Sequence, residues 1–489
     1  MIAFFYSILI VTLILGFYFT RRAYRSPKEL ELIPTVPIFK FAWIVLFNKG
    51  QHEIQRVISD SDTKKIGLVK IFLFSRWSVL ITNLECAKVF FSENDDVLPK
   101  AQLPDNHPIK RFFGKGLPYA NGKDRIRQQK MTIPAFNRYL NPEMIGECTN
   151  ELITLLNKWN EFPLDIFTLM KRITVQTLGK LAFSYDMKAL DSLEEEPYFL
   201  KIFEKITDLI QNPLYMILKF SYKLPLKANL ELSQLIGEFD QFIYEIIEQR
   251  KLDIAKEKKS EDHTDLLANL IENIGDEYTI KNLRDELTTI FSAGHNTTAF
   301  ALSSVFYNLA KYPVIQKKAR EEAIQVLGDS SKIPNSENIK NLKYIKAIIK
   351  ESLRLYPAAV MLPFRKVLKP LRFNQDIIIP KGTSLTLNIW QVHKNSNLWS
   401  DEFVPERFIN QDEHENWIPF SSGHRICIGQ NFSIMEQIVI TTMILLKFKV
   451  SLPPDSQKFD KMPLTSSFYT LFPKDLRIIF SELKMSVKI

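Results

Sequence analysis

The sequence predicts a mainly helical body with a smaller β part. Three observations carry this. Apolar residues recur at helical spacing in long stretches after Tyr119 as far as Pro357. Two tracts flanking that region, "LVKIFLFSRWSVLIT" and "KPLRFNQDIIIPKGTSLTLNIWQVH", alternate as strands do, the second with turn chemistry at Asn374 and at Lys381 and Gly382. No internal repeat, Gly/Ser linker or low-complexity block divides the 489 residues, of which 46% are hydrophobic and 24% charged. One large domain with a sizeable core is therefore expected.

The elements follow in order. Ile2 to Thr20 carries no charge, and at about 1.5 Å per residue it reaches close to the roughly 30 Å of a bilayer core, so residues 2–20 read as a transmembrane anchor. No basic segment precedes it and no small-residue cleavage site follows, which argues against a cleaved signal peptide. Arg21, Arg22, Arg25 and Lys28 come next and hold that flank on the cytosolic side. Residues 21–37, ending in "IPTVP", read as a basic, proline-rich hinge, and 38–489 as the folded body. Within the body the 68–82 tract reads as a hairpin. Helices are expected over Pro142–Asn160, Glu231–Lys256, Ile280–Lys311, Asn341–Leu355 and Phe432–Leu446. Lys251 to His263 reads as a solvated helix end and loop.

The net charge of +9 suits an anionic membrane or an acidic partner. No basic run with interleaved aromatics and no zinc spacing is present, so nucleic acid is not an expected partner. Three cysteines, Cys86, Cys148 and Cys427, exclude a disulfide framework and fit a reducing compartment.

Cys427 lies in "PFSSGHRICIGQNF", just before an apolar helix. A lone cysteine is commonly a small buried apolar residue, the reading given to Cys86 and Cys148. At Cys427, Gly423 and Gly429 are expected to adopt positive φ and let the backbone approach a bound group, Ile426 and Ile428 to exclude water, and the helix N-terminus to favour a thiolate. Those features suit a metal ligand. A protease nucleophile served by His424 lacks an oxyanion-hole signature and would meet two isoleucines.

"FSSGHRICIG" resembles the haem-binding signature of the cytochrome P-450 monooxygenases, with Phe420, Gly423, Arg425, Cys427 and Gly429 at the signature's spacing. The resemblance implies the P-450 fold, a triangular helix-rich body plus a β-sheet region, and haem b with Cys427 as axial iron ligand. It implies Phe420 along the proximal haem face and Arg425 paired with a haem propionate. A thiolate ligand pushes electron density onto iron. "KESLRLYP" and "FVPERF" resemble the family's buried cluster behind the haem, formed here by Glu351, Arg354 and Arg407. Glu351 and Arg354 are three apart on a helix and able to pair; Glu53 and Arg56 share that spacing and read as a surface pair. Arg365 in "LPFRKV" falls where the family often has a further propionate partner.

"FSAGHNTTAF" resembles the distal oxygen-binding groove, with Ala293, Gly294, Thr297 and Thr298. A glycine inside a helix costs about 1 kcal/mol relative to alanine, so Gly294 needs a reason, either helix packing or room beside the cofactor. The resemblance gives Thr297 a hydrogen-bonding role toward dioxygen. Two positions depart from the family. The residue before Thr297 is usually acidic and is Asn296 here, which cannot gain and lose a proton at neutral pH; His295 or the substrate is the alternative proton source. In "GKDRIRQQKMTIPAF", Arg125 and Gln129 stand where a tryptophan and an arginine are usual, with Arg125 or Lys130 as candidate replacements.

No flavin- or nicotinamide-binding text is present, so the resemblance implies electrons from NADPH–cytochrome P-450 reductase, with cytochrome b5 as a second partner, at the endoplasmic reticulum membrane. The segments it assigns to the substrate pocket, Val97 to Tyr119, Tyr198 to Phe220, Ala358 to Leu362 and the region of Phe468, are apolar or aromatic. They favour a lipophilic or aromatic substrate. The texture resembles fungal members that couple tyrosine phenols to dityrosine for the spore wall; hydroxylation of fatty acids, sterols or xenobiotics is the alternative. A membrane-tethered haem-binding protein without turnover is the non-enzymatic reading.

Overall fold

The computed structural model describes residues 25–483, apart from 60–64, 74–75, 139–140, 211–220, 257–264, 276–277, 329–331, 374–375, 395–398, 410–414, 457–458 and 467–468. The anchor expected at 2–20 lies outside the described residues, and among those described no helix is long and apolar enough to cross a membrane. The proline-rich segment, expected to be a hinge, is docked where it is described. Leu30, Ile33 and Val36 are buried, the Val36 N–H donates to Lys70 O, and the Lys70 N–H donates to Pro34 O. Burial of three apolar side chains holds a stretch that its prolines alone would leave stiff but free.

Helix α1 (Ile38–Leu46) is followed by strands β1 (Leu68–Leu73) and β2 (Arg76–Ile81), the expected antiparallel hairpin, with Leu68 opposite Ile81. Then come α2 (Leu84–Ser92), α3 (Gly122–Arg138), α4 (Pro142–Lys158), β3 (Pro163–Asp165), α5 (Ile166–Phe183), α6 (Lys227–Lys256), α7 (Ile280–Lys311), α8 (Pro313–Leu327) and α9 (Lys343–Leu355). Helix α7 starts at a reciprocal Thr279/Asn282 cap and stops where Pro313 cannot continue it. From Leu283 onward it is buried on most faces, as a helix surrounded by protein must be. Three partners surround it: Thr174 of α5 donates to His295 O, Asn308 donates to Ser352 of α9, and Thr298 meets Ser433 of α10 (Gln430–Lys447) at 3.0 Å.

Three helix starts differ from the sequence reading; α10 begins two residues earlier than expected, at Gln430. Helix α6 begins four residues earlier, at Lys227. Helix α9 begins at Lys343, because Glu322 of α8 accepts the N–H groups of Tyr344 and Ile345. That cap comes from across the fold and leaves no local trace.

Strands β4 (Arg365–Lys366), β5 (Leu371–Arg372), β6 (Ile378–Ile379), β7 (Ser384–Leu387), β8 (Phe448–Ser451) and β9 (Arg477–Glu482) complete the β part. The main sheet runs β1-β2-β7-β4, with β2 and β7 parallel and the helical body between them in sequence. An isolated bridge sets Lys100 beside Arg365 at the sheet's edge.

Loop 114–117 lies against α7. The Lys115 N–H donates to Asp285 Oδ2 at 2.9 Å and the Leu117 N–H to Glu286 Oε2 at 3.1 Å. Gly114, at φ 57°, and Gly116 allow this approach: a Cβ would lie 2.0 Å from the Asp285 carboxylate or 2.1 Å from Thr289 Oγ1. Glu286 Oε1 and the Tyr278 hydroxyl are buried with no hydrogen-bond partner among the described residues. Burial raises the Glu286 carboxyl to about 7; the Leu117 N–H opposes this and Asp285 adds to it. The folded chain thus keeps a proton that the unfolded chain loses from 4.5 upward, and loses stability as pH rises between those values. Glu286→Gln is expected to gain stability over the native chain through that window and hold the gain above it, as read by denaturant midpoints across pH.

Candidate active site

The loop before α10 is shaped by its backbone. The Cys427 N–H donates to Phe420 O at 2.9 Å, and the Ile426 N–H to Gly423 O at 3.1 Å. Ser421 sits at φ 66° and Gly423 at φ 68°, where a Cβ would lie 2.9 Å from Phe91 O, so Gly423 is required by close approach to α2. Strain of this kind persists only where surrounding structure enforces it. Gly429 differs from the expectation. It is the N-cap of α10 at φ −87° with open space about its Cα, so it serves no positive φ. Ile426 differs too: it is 46% exposed and does not seal the thiol. Cys427 presents an accessible side chain although protein crowds it, and that crowding raises its thiol despite the opposing Gly429 N–H. The helix N-terminus alone does not make it a thiolate. Phe420 is half-buried, packs on the main core and meets Trp417 edge-on.

Behind this loop, Glu351 and Arg354 of α9 are fully buried and paired through Nε–Oε2 at 2.6 Å and Nη2–Oε1 at 2.9 Å. Arg407, on a 3-10 turn at Pro405–Phe408, donates from Nε to Glu351 Oε1 at 3.2 Å, and the Val404 N–H reaches the same oxygen at 3.0 Å. One carboxylate thus serves two guanidiniums, both of which also lie over the Trp399 ring. His393 connects this cluster to the cysteine loop: its Nδ1 lies 3.2 Å from Arg354 O, and its Nε2 accepts the Ile418 N–H at 2.9 Å. Accepting at Nε2 places the proton on Nδ1, and burial pushes the ring down to about 3, so it stays neutral.

On the other side of the loop, three guanidiniums and one amine gather. Arg425 donates to Asp95 Oδ1 from Nε at 3.1 Å and Nη2 at 2.6 Å, and Arg125 Nε donates to Asp95 Oδ2 at 2.9 Å. Burial would raise the Asp95 carboxyl, but Arg425, Arg125 and the Gly122 N–H hold it down to about 2. Arg365 is buried on β4, donates to Phe90 O and stacks on the Phe90 ring; its Nε has no partner among the described residues. Burial pushes it down to about 9, with Arg425 adding to the effect. The Lys100 amine is held well below its ordinary range by burial, then by Arg365 and Arg425. Among the described residues Asp95 is the one carboxylate acting on this group, and a buried cationic surplus is costly without a counter-charge. Haem b carries two carboxylates and an iron that accepts a thiolate, so the residues present fit it.

On α7, the Thr297 hydroxyl donates to Ala293 O at 2.6 Å. Asn296 is half-buried, and its amide has no partner among the described residues. A Cβ on Gly294 would lie 3.1 Å from Leu178 of α5, so helix packing gives a reason for glycine there, while Ala293 is on an exposed face. His295 cannot replace the missing acid. It is buried against Phe203 and Phe291, its Nδ1 lies 2.5 Å from Phe291 O, and burial pushes it down to about 3.

The family model described as Cytochrome P-450 matches residues 34–478. The chain belongs to the cytochrome P-450 family. It is 30% identical over 407 residues to a cytokinin hydroxylase of Arabidopsis thaliana, covering 81% of this chain and 76% of the relative. It is also 30% identical to Cytochrome P-450 4Z1 of Homo sapiens, over 76% of this chain and 78% of that protein. With Cytochrome P-450 4A10 of Mus musculus it shares 28% identity, over 89% and 87%. As a P-450 the chain is a monooxygenase of the oxidoreductase class, and the family's cofactor is a cysteine-ligated haem b. Family members normally take electrons from a redox partner.

The sequence motifs pointed to the Glu351 cluster and to the segments carrying Cys427, Arg425 and Arg365. Lys100 and Asp95 were missed, because nothing local marks them; a lysine before a polar, proline-containing loop carries no chemistry until the fold sets Arg365 beside it. Glu351→Ala leaves Arg354 buried without a counter-charge and is expected to cost about 3–5 kcal/mol. Glu53→Ala breaks an exposed pair and is expected to cost under about 1 kcal/mol. Denaturant unfolding of the two variants side by side checks the contrast.

Proposed function

We propose that this P-450 holds haem b through Cys427 and oxidises an aromatic or lipophilic small molecule, with tyrosine-type phenols as the preferred class. The observation that carries the substrate reading is Asn296, an amide directly before Thr297 where the family usually has an acid. When bound, thiolate-ligated haem supplies dioxygen activation using electrons from a reductase. Cys427 provides the thiolate, which bonding to a cation stabilises against the effect of burial. Arg365 and Lys100 would hold the cofactor's carboxylates, with Arg425 beside them on Asp95, and Phe420 closes the turn over Cys427. Glu351, Arg354 and Arg407 fix the segment leading into that turn. Thr297 can release Ala293 O and offer its hydroxyl proton to a neighbouring oxygen.

Asn296 can orient a water but cannot resupply that proton. A phenol brings its own hydrogen. Two phenols each give up one hydrogen atom and join through a carbon–carbon bond, a two-electron oxidation that inserts no oxygen and, with one dioxygen, two electrons and two protons, yields two waters. The likeness to a cytokinin hydroxylase supports a second reading, hydroxylation of a small molecule, for which fatty acids, sterols and xenobiotics are the classes to try. The domain reading stands beside this: a 2–20 anchor in the endoplasmic reticulum membrane, a 21–37 connector, a 38–489 catalytic unit facing the cytosol, and electrons from NADPH–cytochrome P-450 reductase with cytochrome b5 as a second donor. Exposed Phe39, Trp43, Leu46 and Phe47, spaced along one side of α1, support contact with a membrane.

Reduction under carbon monoxide is expected to give the red-shifted Soret band of thiolate-ligated ferrous haem, lost in Cys427→Ala; its absence in the native protein would overturn the cofactor assignment. With reductase, NADPH and N-acetyltyrosine, the expected product is a coupled dimer without label from 18O2. Labelled monohydroxylated laurate, with N-acetyltyrosine unchanged, decides for the second reading. Asn296→Asp is expected to lower the share of NADPH lost as hydrogen peroxide, measured by peroxide assay against NADPH consumed.

A further inference from the structure

Asp95 lies in the turn after α2, outside every motif, yet it is the meeting point of two elements distant in sequence. Its Oδ1 takes both Arg425 donors, its Oδ2 takes Arg125 Nε and the Gly122 N–H at 2.9 Å, and His424 Nε2 stands 3.8 Å away. The side chains of Asp95, Arg125 and Arg425 are 7%, 11% and 6% exposed, so water screens the group poorly. Arg125 Nη1 donates to Gln129 Oε1 at 2.5 Å and to His424 O at 3.3 Å, and Gln129 Nε2 donates to the same carbonyl at 3.1 Å. Arg425 Nη2 also reaches Ala120 O and Asn121 Oδ1. Helix α3 and the turn before it are thereby braced to the loop that carries Cys427, with one carboxylate at the centre. The two cations that Asp95 does not engage are Arg365 and Lys100, set side by side by the backbone bridge at the sheet edge.

We infer that Asp95 is a positioning residue for the cofactor: it engages Arg125 and Arg425 on one side, leaves Arg365 and Lys100 to meet the haem carboxylates, and offsets positive charge beside the iron. This rests on the haem reading of the same site. It also accounts for Arg125 and Gln129 at positions where the family usually has a ring and a guanidinium. Either pair holds one guanidinium; here it stands at 125, where Asp95 is the carboxylate that balances it. Charge near a redox centre shifts its potential with a definite sign. Removing an anion disfavours the more positive ferric form and raises the midpoint, and removing a cation lowers it. Loss of the brace also frees the loop, so haem should leave faster.

The test uses full-length holoprotein. Ferric/ferrous midpoints are read by spectroelectrochemical titration and haem loss by transfer to apomyoglobin, for native protein, Asp95→Asn, Arg125→Gln and the double variant. Asp95→Asn is expected to shift the midpoint upward and release haem several-fold faster; Arg125→Gln is expected to shift it downward; the double variant is expected to return toward native. A merely structural role would not give shifts of opposite sign. If Asp95→Asn gives no holoprotein, Arg125→Gln decides. A midpoint unmoved in whichever of these variants carries haem overturns the inference while leaving the haem reading intact. A native protein without the thiolate carbon monoxide band overturns both.

Discussion

The Glu351 carboxylate lies beyond the reach of water and is held by two guanidiniums and a backbone N–H. Burying charges is unfavourable unless each has its partner, so this group tolerates one arrangement of helix α9 relative to residues 402–407. From it a chain of short contacts runs outward. Arg354 O fixes the His393 ring, the ring takes the Ile418 N–H, and two residues later the turn closes through Phe420 O and the Cys427 N–H. A neutral imidazole is needed at that joint, since it must donate on one side and accept on the other, and burial keeps it neutral. The position of the sulphur is thus set by electrostatics well behind it.

The cradle on the opposite side of the turn depends on the sheet. Strand β4 carries Arg365, and the bridge to Lys100 brings in a loop that shares no helix or strand with it. Parallel pairing of β2 with β7 fixes where β4 can lie. Helix and sheet therefore contribute separately to one site: the helices hold the cysteine turn from behind, and the sheet edge supplies cations in front.

Features governed by local chemistry were legible in the sequence. The bounds of α7, Ile280–Lys311, follow from its cap and from Pro313, and the hairpin follows from alternation. Glu351 and Arg354 were legible because helical spacing makes them neighbours. Features set by convergence were not. Asp95 looks like any acid in a polar turn until Arg125 and Arg425 arrive from elsewhere. The start of α9 is fixed by Glu322 of another helix, and the docking of Leu30, Ile33 and Val36 overrides what their prolines suggest. Gly294 shows the limit differently: the residue demands a reason, and the geometry supplies Leu178 of α5.

The parallel partners β2 and β7 are separated by roughly 300 residues, from Ile81 to Ser384. A ribosome adding ~5–20 residues per second takes on the order of 15–60 s to cross that gap. During this time β2 has no β7 to pair with, and one flank of it has unpaired backbone groups. The helical region must condense beside an open strand edge, a surface that invites pairing with other chains. Biogenesis thus contains a vulnerable interval that closes only when β7, the partner of β2 in the main sheet, emerges, and chaperone shielding of the nascent chain matters most then.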